Sequence, residues 1–412
     1  MARLSIDTSN IAPFAILPFA TTQLRRVQSV NTTSDIPSEQ IREVGNESIV
    51  GVVKDRPNVT VALEANLVNS RILAVFANRD PDSTWSDLLV QDLLGQADVD
   101  LNLLQRDTSR TTWLRSTYVK QASVSSYRIA ASVDGNATET FEFNADNKTG
   151  FERWIQVDRS TAGSDNQTAF SITQTPVALT RGKEAGNTLK SVFRATPNGP
   201  NEYYLEGAGN DYTVSGTSVT MTTQGAQNIS TGDVLVFVYQ TDADPGGTDQ
   251  FQAKDTISPA AIRGYYFVPV RLRVSGTTLE TRGMQSVEAT MNFNSNVEVG
   301  MGSQAVGSER VIPAEVTGNF VIFEEGSDLE KFLIAGETMS ADTDYPVEDF
   351  LDNLQIELDF LHPDTQALLR TDTLSGISIT GDTRDVVVGQ AVGKQFNFTA
   401  ATDFGWYNDK VV

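Results

Sequence analysis

The sequence predicts a mainly β chain made of two equivalent domains with a small β module between them. Three observations carry this reading. One stretch of the chain occurs twice at a nearly constant offset. Short alternations of apolar and polar residues, punctuated by Gly, Pro, Asn and Asp, recur along most of the length. A chain of 412 residues is also too long for one ordinary core.

The repeated stretch runs from Gln28-Ser29-Val30 to Asp107-Thr108, and again, 257 residues on, from Gln285-Ser286-Val287 to Asp364-Thr365. Gly45 lands on Gly302, Val59-Thr60 on Val316-Thr317, and Asp92-Leu93-Leu94 on Asp349-Phe350-Leu351. Val99, Leu101 and Leu103 land on Ile356, Leu358 and Phe360. Val50-Gly51 and Pro57 match Val306-Gly307 and Pro313 after a slip of one residue. Such self-similarity marks repeated structure. It divides the chain into a first domain (1–150), an inserted β module (151–260) and a second domain (261–412).

Within the first copy, Phe14–Phe19 is the apolar part of an N-terminal arm. Residues 28–56 read as a long, polar, turn-rich loop. Val59–Leu63 alternates as a strand, and Ile72–Phe76 is a second apolar run read with it. Thr84 reads as an N-cap, with Asp87 behind it, Trp85, Leu88 and Leu89 on an apolar face, and Gly95 closing. That predicts one short helix over about 84–94. Val99, Leu101 and Leu103 alternate as a strand. Tyr118–Lys120, Val124–Val133 and Thr138–Phe143 follow as strands, with a tight turn at Asp134-Gly135. The closing Phe141-Glu142-Phe143 answers to Phe396-Asn397-Phe398. Asp211–Val214, Ser218–Met221 and Val234–Tyr239 predict the strands of the module. Trp406 and Tyr407 near the end suggest docking on a neighbour or a satellite core.

Composition excludes much chemistry. Cysteine is absent and His362 is the single histidine. That removes disulfides, thiolate metal sites and a Cys nucleophile, along with most of the usual residues of hydrolysis. His362, beside Pro363, reads as structural or solvent-facing. Asp242, Asp244 and Asp249, and Asp342 and Asp344, match no EF-hand spacing and read as solvated acidic loops. Asp107 and Asp364 read as turn caps repeated once per domain. No catalytic residue, cofactor or metal site is expected. No window of about 18 apolar residues offers a membrane span, and Met1–Phe19 lacks the basic start of a signal peptide.

The net charge of −22 argues against a surface built to grip nucleic acid. Only nine of the 31 basic residues are Lys. Low Lys with abundant Asp, Glu and Thr fits a protein working in high salt, where repulsion is screened. Greater stability in molar salt than in dilute buffer is the expected outcome.

In the order of these parts the chain resembles the major tail tube proteins of long-tailed viruses of bacteria and archaea. The shared order is an arm, a strand ending in Gln28-Ser29-Val30, a long loop to Pro57, strands about 59–76, a helix, and closing strands around Val133–Thr138. The resemblance covers both repeats and not the middle module. It implies a β-sandwich or half-barrel with a flanking helix in each domain. It further implies rings of subunits stacked into a tube that conducts DNA without specific binding, no catalytic residues, and a place in the virion tail. The implied partners are further copies of the chain, tape-measure proteins, and tail terminator or tip proteins. Most members of that family carry one tube domain and form hexameric rings. Two domains per chain suggest a homotrimer with pseudo-sixfold symmetry, with a hexamer of chains as the alternative. The long loops are expected to stack rings, through Ile36, Pro37, Ile41 and Val44 in one copy and Phe293, Val297 and Val299 in the other. The module is expected to project outward or to pack on the outer face as a decoration, so that its excision spares assembly. A surface-layer or other β-rich virion protein, and a two-carboxylate glycosidase, are the competing classes.

Overall fold

The computed structural model describes residues 11–36, 38–42, 49–54, 58–67, 71–76, 88–89, 98–106, 113–181, 185–195, 201–244, 251, 268–274, 277–280, 283–298, 307–323, 328–335, 352–385, 393–400 and 404–407. The described chain is mainly β, with large antiparallel sheets.

The first copy supplies β1 (Ile11–Ile16), β2 (Thr21–Gln23), β3 (Val27–Asp35), β4 (Ser38–Arg42), β5 (Ile49–Lys54), β6 (Asn58–Asn66), β7 (Leu88–Leu89), β8 (Asp98–Arg106), β9 (Trp113–Ser132) and β10 (Thr138–Phe151). The module supplies β11 (Trp154–Thr161), β12 (Ala169–Ser171), β13 (Ser191–Ala195), β14 (Glu202–Tyr203), β15 (Tyr212–Ser215), β16 (Ser218–Met221) and β17 (Val234–Thr241). The second copy supplies β18 (Val270–Val274), β19 (Thr277–Glu280), β20 (Met284–Glu298), β21 (Gly307–Phe323), β22 (Leu354–Leu361), β23 (Leu368–Asp385), β24 (Gly393–Ala400) and β25 (Phe404–Tyr407).

Both copies pair their strands in one order. In the first it is β2-β1-β8-β9-β10-β6-β3, and in the second β19-β18-β22-β23-β24-β21-β20. Two irregularities also coincide. The β3·β6 register breaks between Val27 and Ser29, and β20·β21 breaks between Met284 and Ser286. Ser125 is skipped in β9·β10, as Thr380 is in β23·β24. Bulges reset which face a side chain takes, so matching bulges keep the same positions inward in both copies.

The strands form because their apolar residues alternate. Val59, Val61, Leu63 and Ala65 of β6 are all buried, and the residues between them are at least partly exposed. One apolar core runs through both copies, from Leu63, Phe141 and Phe143 to Phe320, Phe396 and Phe398.

The helices lie elsewhere than expected. Arg71–Phe76 is helical, and so is Asp328–Ala335, which starts 257 residues later. A short apolar run does not by itself distinguish a buried helix from a strand. Here Ile72 to Phe76 are all buried, and Phe76 meets Phe141 and Phe143 edge-on at 4.7 and 4.8 Å. Of the expected helix at 84–94, Leu88 and Leu89 are extended and pair with β25. The rest of that segment lies outside the described residues. The tail strand β25 pairs with β23 and with β7 of the first copy.

The module is a sandwich of a four-stranded sheet (β11-β17-β13-β14) and a three-stranded one (β12-β16-β15). Val192, Leu235, Phe237 and Tyr239 face Phe170, Tyr212, Val219 and Met221 in its own core. The other face of the four-stranded sheet lies on the first copy. Val157, Phe193, Val236 and Val238 there meet Phe14, Ile16, Leu104, Tyr118 and Phe151. Arg159 donates to the Leu17 carbonyl at 2.8 and 3.1 Å and to the Thr21 hydroxyl at 3.1 Å. Burial pulls this guanidinium down to about 10. The module therefore packs on the first copy, one of the two placements expected of it, and covers an apolar face there.

Candidate assembly interface

The two copies join by sheet continuation. Strand β20 lies antiparallel on the second half of β9, with Val287 opposite Ala131, Ala289 opposite Ile129 and Met291 opposite Tyr127. All six side chains are buried. On the opposite face of the same strands, Arg128 Nε donates to Glu288 Oε1 at 2.7 Å. That hydrogen bond, more than any other cause, holds the guanidinium charged.

Behind the seam sits a charged cluster drawn from both copies. Arg370 of β23 donates to Glu139 of β10, to the Tyr127 hydroxyl at 2.8 Å, and through two nitrogens to Asp372, one of these bonds at 2.7 Å. Tyr127 in turn donates to Glu139 Oε1 at 3.0 Å. Arg370, Glu139 and Asp372 are at most 1 % exposed. Burial alone would pull the Arg370 guanidinium down, but Asp372, Tyr127 and Glu139 hold it charged. Burial pushes Asp372 up to about 6 against the pull of Arg370. A buried charge in this setting is tolerable only with its partners in place, so this cluster ties the second copy to one position on the first.

Sheet continuation leaves two edges. Among the described residues β3 pairs only with β6, and the Gly381–Asp385 end of β23 only with β24. Thus β3 holds the place in the first copy that β20 holds in the second. The end of β23 likewise holds the place of the second half of β9.

The solvent face of the joined sheet is polar. Thr60, Thr140, Ser126, Ser286, Thr290, Thr317, Asn319, Asn397 and Thr399 stand along β6, β10, β9, β20, β21 and β24. Among the residues whose side chains are described, the charges on this face are Glu64, Glu142, Glu288, Glu315 and Arg128.

The residues expected to stack rings lie partly on described strands. The expected loops at 31–56 and 288–312 contain strands: β3, β4 and β5 in one copy, and the arms of β20 and β21 in the other. The Val-rich run Ile49–Lys54 pairs with β4, and Asn294–Glu298 pairs with Gly307–Val311. Ile36 is exposed, in keeping with a surface role. Ile41 lies on β4 and Val297 on β20. Phe293 is buried in the shared core, because it shares the inward face of Met291. Pro37, Val44 and Val299 lie outside the described residues. His362 accepts from the backbone N–H of Asp364 at 3.1 Å and caps its turn. Asp242 pairs with Arg153. Asp107, Asp249, Asp342 and Asp344 lie outside the described residues.

No motif pointed to Arg370, Asp372, Glu139 or Tyr127. The available signal was an internal mismatch. Arg370 stands opposite Phe360, where the first copy has Thr117 opposite Leu103. A charge on an inward position of one copy alone marks something that copy does and its twin does not. No protein-family model matches the chain, and no curated protein is significantly similar to it. The interface is thus read from its own geometry, as a sheet-continuation joint of a β protein.

Proposed function

We propose that the chain is a structural subunit that joins copies of itself edge to edge into rings, and stacks the rings into the tail tube of a long-tailed virus. One observation carries this: a single sheet already crosses from one copy to the other, and among the described residues the same two edges stand unpaired at either end of the run from β3 to the end of β23. An open edge invites pairing, and closure into a ring removes it. The polar solvent face supports the conduit reading. Hydroxyls and amides with a small excess of carboxylates give DNA no cation cluster to bind, and no counterion release rewards adhesion. Three chains, each supplying two domains, make a ring of six domains. The partners of such a tube are tape-measure and terminator or tip proteins, and its place is the virion tail.

Negative-stain microscopy of the purified protein in low and molar salt is the test. Rings or tubes with three chains per ring, counted by mass photometry, are the expected outcome. Flat two-dimensional sheets would replace the reading with a surface-layer protein, and particles that stay single at all salts would end it.

A further inference from the structure

We propose that the seam between chains copies the seam within the chain, residue for residue: β3 of one molecule seats on the Gly381–Asp385 end of β23 of a second copy. In that register Thr33 stands opposite Thr383, Ser34 opposite Asp382 and Thr32 opposite Arg384. The inference rests on self-assembly by strand edges but not on a tube or on DNA.

The register follows from pairings inside each copy. Val30 faces Leu63 as Val287 faces Phe320, so β3 and β20 correspond at a shift of 257. Tyr127 faces Phe141 as Asp382 faces Phe396, with the same skipped residue beside each, so the end of β9 corresponds to the end of β23. Within the chain Met291 faces Tyr127, Thr290 faces Arg128 and Ala289 faces Ile129. Replacing each residue by its counterpart gives the three pairs above. The free strand is prepared for this in its exposure. Val30 and Thr32 are half-buried while their counterparts Val287 and Ala289 are buried.

The side chains also fit separate molecules meeting. Within the chain, the cluster behind the seam takes Arg370 from one copy and Glu139 from the other. At the seam between chains Glu139 is replaced by Lys394 and Tyr127 by Asp382, and these two pair with each other at 3.0 Å. The arriving copy brings Thr117 and Val119 where the second copy has Arg370 and Asp372. The Lys394–Asp382 pair is therefore made before association, while Arg384, at the counterpart of Ile129, is exposed and comes to lie against Thr32 of the arriving strand. The Arg128–Glu288 pair on the solvent face is likewise replaced by the neutral Thr383 and Asn31. A permanent seam can share its charges across the joint, whereas a seam between molecules that also live apart is better served by keeping them at home.

The chain has no cysteine, which makes a crosslinking test clean. Residues directly opposite in an antiparallel pair stand about 4.5 or 5.5 Å apart, within disulfide reach in both cases. Under mild oxidation, Thr33→Cys with Thr383→Cys, or Ser34→Cys with Asp382→Cys, should give a reducible ladder that ends at a closed trimer on a denaturing gel. Mixing the two single variants of a pair should give dimers only. Asn31→Cys with Thr383→Cys, two residues out of register, should link at least tenfold more slowly. Rings that link only in the shifted pair, or in none, would overturn the register while leaving self-assembly standing. Absence of both links and rings would overturn both.

Discussion

The same strands meet opposite environments in the two copies. In the first, the outer face of β1, β8 and β9 carries Phe14, Ile16, Leu104 and Tyr118 and lies under the module. In the second, the counterpart of Ile16 is Arg271, of Tyr118 Thr371, of Asp100 Glu357 and of Asn102 Asp359. There Arg271 pairs with Glu357 at 3.1 Å and with Asp359 at 2.6 Å, and Arg273 with Glu357 at 3.1 Å. Apart from the charges of β23 and β24 at Arg370, Asp372, Asp382 and Lys394, the inward face kept its apolar pattern in both copies, while the outward face was rewritten to suit its cover. Even the polar residues follow this rule. Asp100 is fully buried under the module, receiving the hydroxyls of Tyr118 and Tyr203 and the Gln121 N–H, and burial raises its pKa.

The sharpest break in that comparison is removal of the module. Trp154 and Thr241 face each other across β11·β17, so a short linker can replace residues 155–240. Five large side chains of the first copy would be uncovered, at roughly 2 kcal/mol each, which rivals the whole stability of a domain. The deletion is expected to leave the protein insoluble. Adding Ile16→Arg and Tyr118→Thr, the residues of the second copy, should recover soluble protein. Recovery is measured by the soluble fraction and by calorimetry. A soluble deletion without those changes would show that the contact with the module contributes little.

Next in size is the cluster behind the seam. Arg370→Met strands Glu139 and Asp372 in the interior and should cost about 3–5 kcal/mol in chemical denaturation. Adding Glu139→Gln and Asp372→Asn should return most of it. The matched change in the first copy, Thr117→Met, should cost less than 1.5 kcal/mol, since Thr117 is half-buried and uncharged.

A subtler measurement uses pH. Asp372 faces Arg370 and, beyond it, Glu139 and Tyr127. Burial raises it from 3.8 to about 6, so the folded chain keeps this proton at a pH where the unfolded chain has lost it. The stabilisation is complete below about 4 and is lost as pH rises through 6. Wild type should therefore gain on Asp372→Asn by roughly 2 kcal/mol as pH falls from 7 to 4. A gap that stays constant with pH would assign the titration elsewhere.

The smallest effect belongs to the solvent face. Arg128 and Glu288 are 46 % and 34 % exposed, and Arg128→Ala should change stability by less than 1 kcal/mol, the more so in salt.

What the sequence made legible follows from the same contrast. Alternation in β6, β8 and β22 reports which face is buried, and the constant offset reports that two stretches share one inward pattern. Turn chemistry placed Val133–Gly135 correctly, where the Gly135 N–H reaches the Ser132 carbonyl. The helices were misplaced because Ile72–Phe76 is apolar all round, so its period is invisible. The seam was hidden because pairing between β20 and β9 joins residues about 160 apart. Charge at Arg370 reads as surface until its neighbours are known.

Arg370 also sets a schedule. Glu139 and Tyr127 leave the ribosome long before it, with 231 residues between Glu139 and Arg370. At about 5–20 residues per second this is a delay of roughly 12–46 s. For that time the first copy holds a carboxylate and a phenol at a site that is not yet closed. Water can serve them while the edge of β9 is bare, but β20 arrives first and begins to shut it out. The cluster is thus completed only when Arg370, near the start of β23, is made. The order of synthesis protects against a premature seam with another molecule's strand, because such a seam would lack its arginine.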